Sequence, residues 1–244
     1  MNSQSQHSRR QFLLAGTAAG SGFAVAGFVG SAQGGDAAAP AKSGVQPSPE
    51  MDIAPPEDLM REHGVLSRIL LIYEESLRRL HGKRDPQPAV VAEAANIIRT
   101  FIEDYHEKLE EDQLFPRFEK AGKLVELVKV LREQHQAGRR LTDETIRLAT
   151  PAAVKDAQGS KQLCHSLEQF IRMYRPHESR EDTVLFPAIR SLMTAKEFDE
   201  MGDRFEDKEH QLFGAHGFED IVARVADFEK KLGIYDLGQF TPNV

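Results

Sequence analysis

Two stretches of the chain carry the same residues at the same spacing. His106 is followed by Glu107, by Glu110 and by Leu114-Phe115-Pro116, and His177 is followed by Glu178, by Glu181 and by Leu185-Phe186-Pro187. An imidazole and a carboxylate four residues apart lie on one face of a helix, about one turn apart. His63 and His135 lie 72 residues apart, close to the 71 that separate the two His-x-x-x-Glu copies. The chain therefore reads as two helix pairs, each giving one histidine and then one His-x-x-x-Glu. A single histidine on an apolar face is usually a hydrogen-bonded core residue. Here four fall on four helical stripes and two bring a glutamate with them. Burying four imidazoles and two carboxylates without a counter-charge costs on the order of several kcal/mol per unpaired ion. Two divalent cations would remove that cost. Imidazole and carboxylate donors suit iron, manganese or zinc, and the absence of a thiolate cluster argues against a structural zinc site.

The elements that must position these groups are helices. Leu59, His63, Leu66, Leu70 and Tyr73 recur at three or four residues after Pro55-Pro56, and the run should end near His81-Gly82. A second helix opens at Pro86 and Pro88, carries Val91, Ala94, Ile98, Phe101, Tyr105 and His106, and should kink or end at Pro116. A third runs from about Leu124 to Leu148 with His135 on its inner side, and Pro151 stops it. A fourth takes in Leu163, Leu167, Phe170, Tyr174, His177 and Glu181, with a bend expected at Pro176. Tyr174, three residues before His177, should point toward the site. A fifth helix, interrupted by Gly214 and Gly217, is expected from about Ala195 to Leu232, with Phe198, Met201, Phe205, Leu212, Ile221, Val225 and Phe228 covering the bundle. Glu206, His210 and His216 on it are read as surface or packing residues. No β pattern of useful length is present, so the fold class is all-α.

Charge and composition exclude other classes. The formal net charge is -7, against a nucleic-acid surface. The basic pairs Arg78-Arg79, Lys83-Arg84 and Arg139-Arg140 read as solvated surface. Cys164 is the single cysteine, so no intramolecular disulfide forms. Residues 1–32 differ from the rest: Ser8-Arg9-Arg10-Gln11-Phe12-Leu13-Leu14 leads into a Gly/Ala-rich apolar run. This looks like a twin-arginine export signal, which implies a periplasmic or otherwise exported protein with no stable membrane insertion after cleavage. Residues 33–54 should be a disordered linker, 55–194 the metal-binding bundle, 195–234 the C-terminal helix and 235–244 a tail.

The order His63, His106-x-x-x-Glu110, His135, His177-x-x-x-Glu181, with both Leu-Phe-Pro tags, resembles the hemerythrin-like (HHE cation-binding) family over about residues 55–194. The resemblance implies an antiparallel up-and-down four-helix bundle, here with an added fifth helix, around a non-haem diiron centre of two iron ions. It implies that Glu110 and Glu181 bridge the metals, that His63 and His106 bind one and that His135 and His177 bind the other. Ferritin-like diiron bundles use Glu-x-x-His instead, with the carboxylate first. One departure matters. The oxygen-carrying members have a second histidine four residues from the third-helix one, where this chain has Leu131 and Arg139. Glu107 is a candidate for the missing ligand; otherwise water fills the position.

Three functional classes follow. The protein could react with O₂, peroxide or nitric oxide. It could bind, store or sense oxygen or iron without turnover. It could be a metal-stapled structural bundle. The missing histidine favours a reactive site with a small diatomic or peroxide ligand. Without metal, Glu110 and Glu181 should both have raised pKa values from burial and mutual repulsion.

Overall fold

A computed structural model describes residues 53–242. The proposed leader (1–32) and most of the linker (33–54) lie outside the described residues. All regular structure among the described residues is helical. Helix α1 is Pro55–His81; Glu57 and Asp58 sit in its first turn, and Glu57 accepts a hydrogen bond from the Ala54 amide at 3.1 Å. Helix α2 spans residues 88–121, α3 is Val125–Leu148 and α4 spans 157–192, after a short turn of helix at Pro151–Lys155. Around the core, α1 contacts α2 and α4, while α3 contacts α2 and α4. Leu66, Ile69, Tyr73, Val91, Ile98, Phe101, Leu131, Leu167 and Phe170 are buried between them.

Of the two outcomes expected at Pro116, a kink or an end, the end does not occur. The helix continues through Phe115–Ala121 and stops at Gly122, whose φ of 63° is left-handed. The chain absorbs the proline by widening the turn before it: Glu110–Leu114 is a π turn in which the Phe115 amide donates to the Glu110 carbonyl. A proline has no N–H and its ring crowds the carbonyl four residues back. A π turn spaces that carbonyl differently and keeps the helix intact. In α4 the same event recurs before Pro187, where Glu181–Leu185 is a π turn and the Phe186 amide donates to the Glu181 carbonyl. Pro176, where a bend was expected, lies inside the unbroken α-helical stretch Ala157–Arg180. The departure from α geometry comes at Glu181 instead. Helix α2 has a further π stretch, Ile98–His106, with no counterpart in α4.

The single fifth helix is also corrected. Two helices occur, α5 (Ala195–Phe213) and α6 (Gly217–Leu232), separated at Gly214, whose φ of 81° no L residue adopts comfortably. Phe198, Met201, Phe205, Ile221, Val225 and Phe228 are buried as expected, whereas Leu212 is exposed. Both helices contact α1, and α6 also contacts α2. No helix among the described residues is long and apolar enough to cross a membrane.

Candidate metal centre

Each of the four long helices sends its histidine inward. His63, His106, His135, His177, Glu110 and Glu181 are all at most 3 % exposed. Ligand-type atoms of His63, His106 and Glu110 lie within 4.8 Å of one another, and so do those of His135, His177 and Glu181. The two groups meet. The Nε2 atoms of His63 and His106 are 3.0 Å apart. A Glu181 oxygen lies 3.4 Å from His63 Nε2 and 3.1 Å from His177 Nε2. A Glu110 oxygen lies 3.8 Å from His106 Nε2 and 3.5 Å from His135 Nε2. Each carboxylate therefore spans two histidines from different helices. Both oxygens of Glu110 and of Glu181, and His135 Nε2, are buried with no hydrogen bond among the described residues. Buried polar atoms are nearly always satisfied, so five orphans on three residues of two adjoining His/Glu groups are what a ligand site would leave. The donor set fits divalent iron, manganese or zinc.

The far sides of the four rings are all tied. His63 Nδ1 meets Asp182 at 2.7 Å, His106 Nδ1 meets Glu62 at 2.8 Å, His135 Nδ1 meets Glu111 at 3.0 Å, and His177 Nδ1 meets Gln134 at 2.9 Å. Each acceptor suits Nδ1 as the N–H donor, so that a neutral ring would offer its Nε2 lone pair to a metal at the centre. Sequence reasoning missed these four residues. The signal was present: Glu62 and Gln134 directly precede the first histidine of each half, and Glu111 and Asp182 directly follow its glutamate. The Leu-Phe-Pro tags act here too. Phe115 stacks on His135 with centroids 5.5 Å apart, and Phe186 stacks on His63 at 5.4 Å. Each tag thus backs a histidine of the other half.

Glu107 is placed behind His135 and away from the four Nε2 atoms. Its Oε1 accepts from the Tyr174 hydroxyl at 2.7 Å, its Oε2 accepts from Arg139 at 2.8 Å, and Oε2 is 3.9 Å from His135 Nδ1. Tyr174 is buried with its ring 5.3 Å from His177, but its hydroxyl serves Glu107. Gly138 makes room for it: a Cβ there would lie 2.0 Å from the Tyr174 hydroxyl oxygen. Arg139, read from sequence as solvated surface, is turned inward onto Glu107 and Glu111, each at 2.8 Å. Glu206, His210 and His216 do not gather into a ligand group among the described residues.

Electrostatics corrects one more expectation. Burial, with the nearby Glu181 and Glu107 charges, raises the Glu110 pKa well above the usual carboxylate range. Glu181 goes the other way. Burial pushes it up, but the His177 charge and contacts with His177 and His63 outweigh this and hold it well below that range. Burial disfavours the His63 imidazolium, yet its contacts with Asp182 and Glu181 carry its pKa up to about 10. Burial and the His63 charge push His106 down to about 3. The metal-free cluster thus shares protons unevenly where a cation would replace them.

The model of the hemerythrin HHE cation binding domain matches residues 54–189. Uncharacterized proteins of Mycobacterium bovis and Mycobacterium tuberculosis are 54 % identical over 198 residues, which is 81 % of this chain and 77 % of theirs. No solved structure matches the chain. Both halves of the histidine and glutamate repeat lie inside the matched span. The chain belongs to the hemerythrin HHE cation-binding domain family.

Proposed function

We propose that the protein holds a non-haem centre of two iron ions in an antiparallel up-and-down four-helix bundle and reacts with O₂, peroxide or nitric oxide. His63 and His106 bind one ion and His135 and His177 the other, with Glu110 and Glu181 bridging. The observation that carries this reading is the set of orphaned Glu110 and Glu181 oxygens between four imidazoles whose Nδ1 atoms are all anchored. Bound iron supplies the redox chemistry. The chain supplies a buried, oriented donor set and excludes bulk water. In this reading Glu107 acts through the Tyr174 and Arg139 side that it faces.

Elemental analysis and an absorption spectrum of anaerobically iron-loaded protein test the centre; one metal or none per chain sinks it. Consumption of peroxide and of nitric oxide by the reduced protein tests reactivity. Stoichiometric, reversible uptake of O₂ without turnover would assign a carrier or store instead. We also propose export through the twin-arginine route, on the strength of Ser8-Arg9-Arg10-Gln11-Phe12-Leu13-Leu14. Replacing Arg9 and Arg10 by lysine should leave the precursor inside the cell, and unchanged fractionation refutes the assignment.

A further inference from the structure

The two halves of the centre are matched position by position, but not in charge. Glu62 on α1 holds His106 Nδ1 with a carboxylate, while its counterpart Gln134 on α3 holds His177 Nδ1 with a neutral amide. Four residues beyond His135 stands Arg139, a cation on Glu107 and Glu111. Four residues beyond His63 stands Ser67, whose hydroxyl donates to Glu178 at 2.9 Å. Glu178 is the counterpart of Glu107. The remaining pair, Glu111 and Asp182, is carboxylate in both halves, and Glu111 also takes Lys108, where the other half has Ser179. Both differences have the same sign. The His63/His106 side carries an extra anion, and the His135/His177 side an extra cation.

A carboxylate on the far nitrogen of a ligating imidazole makes the ring a stronger donor and stabilises the more highly charged ion. A guanidinium one residue removed from a ring does the opposite, and a buried setting screens neither strongly. Glu62 is fully buried and Arg139 is 16 % exposed. Resting on the two-iron reading above, we infer that the ion held by His63 and His106 is the first of the two to be oxidised. Half-oxidised protein therefore keeps its ferric charge on that side. Glu62 and Arg139 are positioning residues that act through His106 and His135. The step is the loss of one electron from one ferrous ion to an external one-electron oxidant, with no bond made or broken in the chain.

The test is a stepwise oxidative titration of the iron-loaded full chain, followed by absorption and by electron paramagnetic resonance of the half-oxidised state, with iron content measured first. The first and second oxidations should be well separated in the native protein. Glu62→Gln should raise the lower potential and cut the comproportionation constant about tenfold, equivalent to about 59 mV for a one-electron couple. Gln134→Glu should lower the higher potential by a similar amount. Arg139→Ser should act as Gln134→Glu does; Gln134→Glu keeps the test standing if Arg139→Ser fails to fold. Two irons per chain with an unmoved separation in Glu62→Gln and Gln134→Glu overturns this inference alone, as does a widened separation in either. Fewer than two irons in the native protein overturns the reading beneath it, and the inference with it.

Discussion

Helices α1 and α3 are uninterrupted α-helices of 27 and 24 residues, and each gives one candidate ligand. Helices α2 and α4 break α geometry at Glu110 and Glu181, and each gives two. The difference shows how one helix can serve two neighbours at once. In an α-helix, residues five apart face different directions. In a π turn, where the amide of residue i+5 bonds the carbonyl of residue i, they stack. Glu110 and Phe115 are related in this way, and so are Glu181 and Phe186. The carboxylate enters the centre while the ring one rung below lies against a histidine of the opposite half. The smooth helices need no such device, because each presents a histidine and, one residue earlier, the acceptor for someone else's ring.

If the interrupted helices carry the bridging ligands, their glutamates should be the most damaging to lose. Glu110→Ala and Glu181→Ala should each lower bound metal from two ions per chain toward none, whereas His63→Ala and His135→Ala on the smooth helices should each leave about one. Elemental analysis after gel filtration reads this. Equal losses for all four variants would break the comparison.

Acidity separates the two states of the same cluster. Metal ligation needs neutral imidazoles and ionised carboxylates, so the loaded protein should lose metal on acidification and be most stable at neutral pH and above. The metal-free protein should also weaken toward alkaline pH. His63 has its pKa raised to about 10, so its contribution is full below its ordinary value of 6.5 and lost as pH rises toward 10. The raised Glu110 acts in the same direction, its contribution being lost as pH rises above its ordinary value of 4.5. Glu181, lowered, and His106, lowered to about 3, instead lose their contributions as pH falls. Calorimetric midpoints with chelator should be lower at pH 9 than at pH 7, by roughly 2–4 °C for each kcal/mol lost. A flat profile would contradict the proton sharing described.

The prolines sharpen the comparison further. Pro116→Ala and Pro187→Ala allow the preceding π turns to relax to α, which would rotate Phe115 and Phe186 off the histidines they back. Metal affinity should fall about 10- to 100-fold, the range for residues that orient ligands, measured by competition with a chromophoric chelator. Unchanged affinity would mean that something other than proline holds the π turns.

On the smooth side, the sensitive point is Gly138. Gly138→Ala places a methyl against the Tyr174 ring and should cost about 1–3 kcal/mol in urea unfolding. Outside both classes, His210→Ala should leave metal content and spectrum unchanged.

The convergence of six side chains was readable in the sequence because the repeat placed a histidine, then a histidine and a glutamate, on apolar stripes of successive helices. What was not readable depended on register between helices. Asp182 reaches His63 across 119 residues and Glu111 reaches His135 across 24. No periodicity within one helix encodes such a pairing. At Pro116 the choice between a kink and an end stayed open for a different reason. Its local preference to stop a helix is real, but the widened turn and the burial of Phe115 and Phe118 carried the chain through. Arg139 was misread because a basic pair in sequence says nothing of which member turns inward. Gly214 was noticed, yet only its backbone angle shows that it divides the C-terminal segment into two helices.

The crossed ties divide the four rings into two kinds. Within the first half, Glu62 can orient His106 as soon as α1 and α2 meet, and within the second half Gln134 can orient His177 once α3 and α4 meet. His63 and His135 wait for acceptors on the other half. Neither hairpin by itself then holds the acceptors of all its own histidines, so the four ring orientations are complete only where the two hairpins are docked.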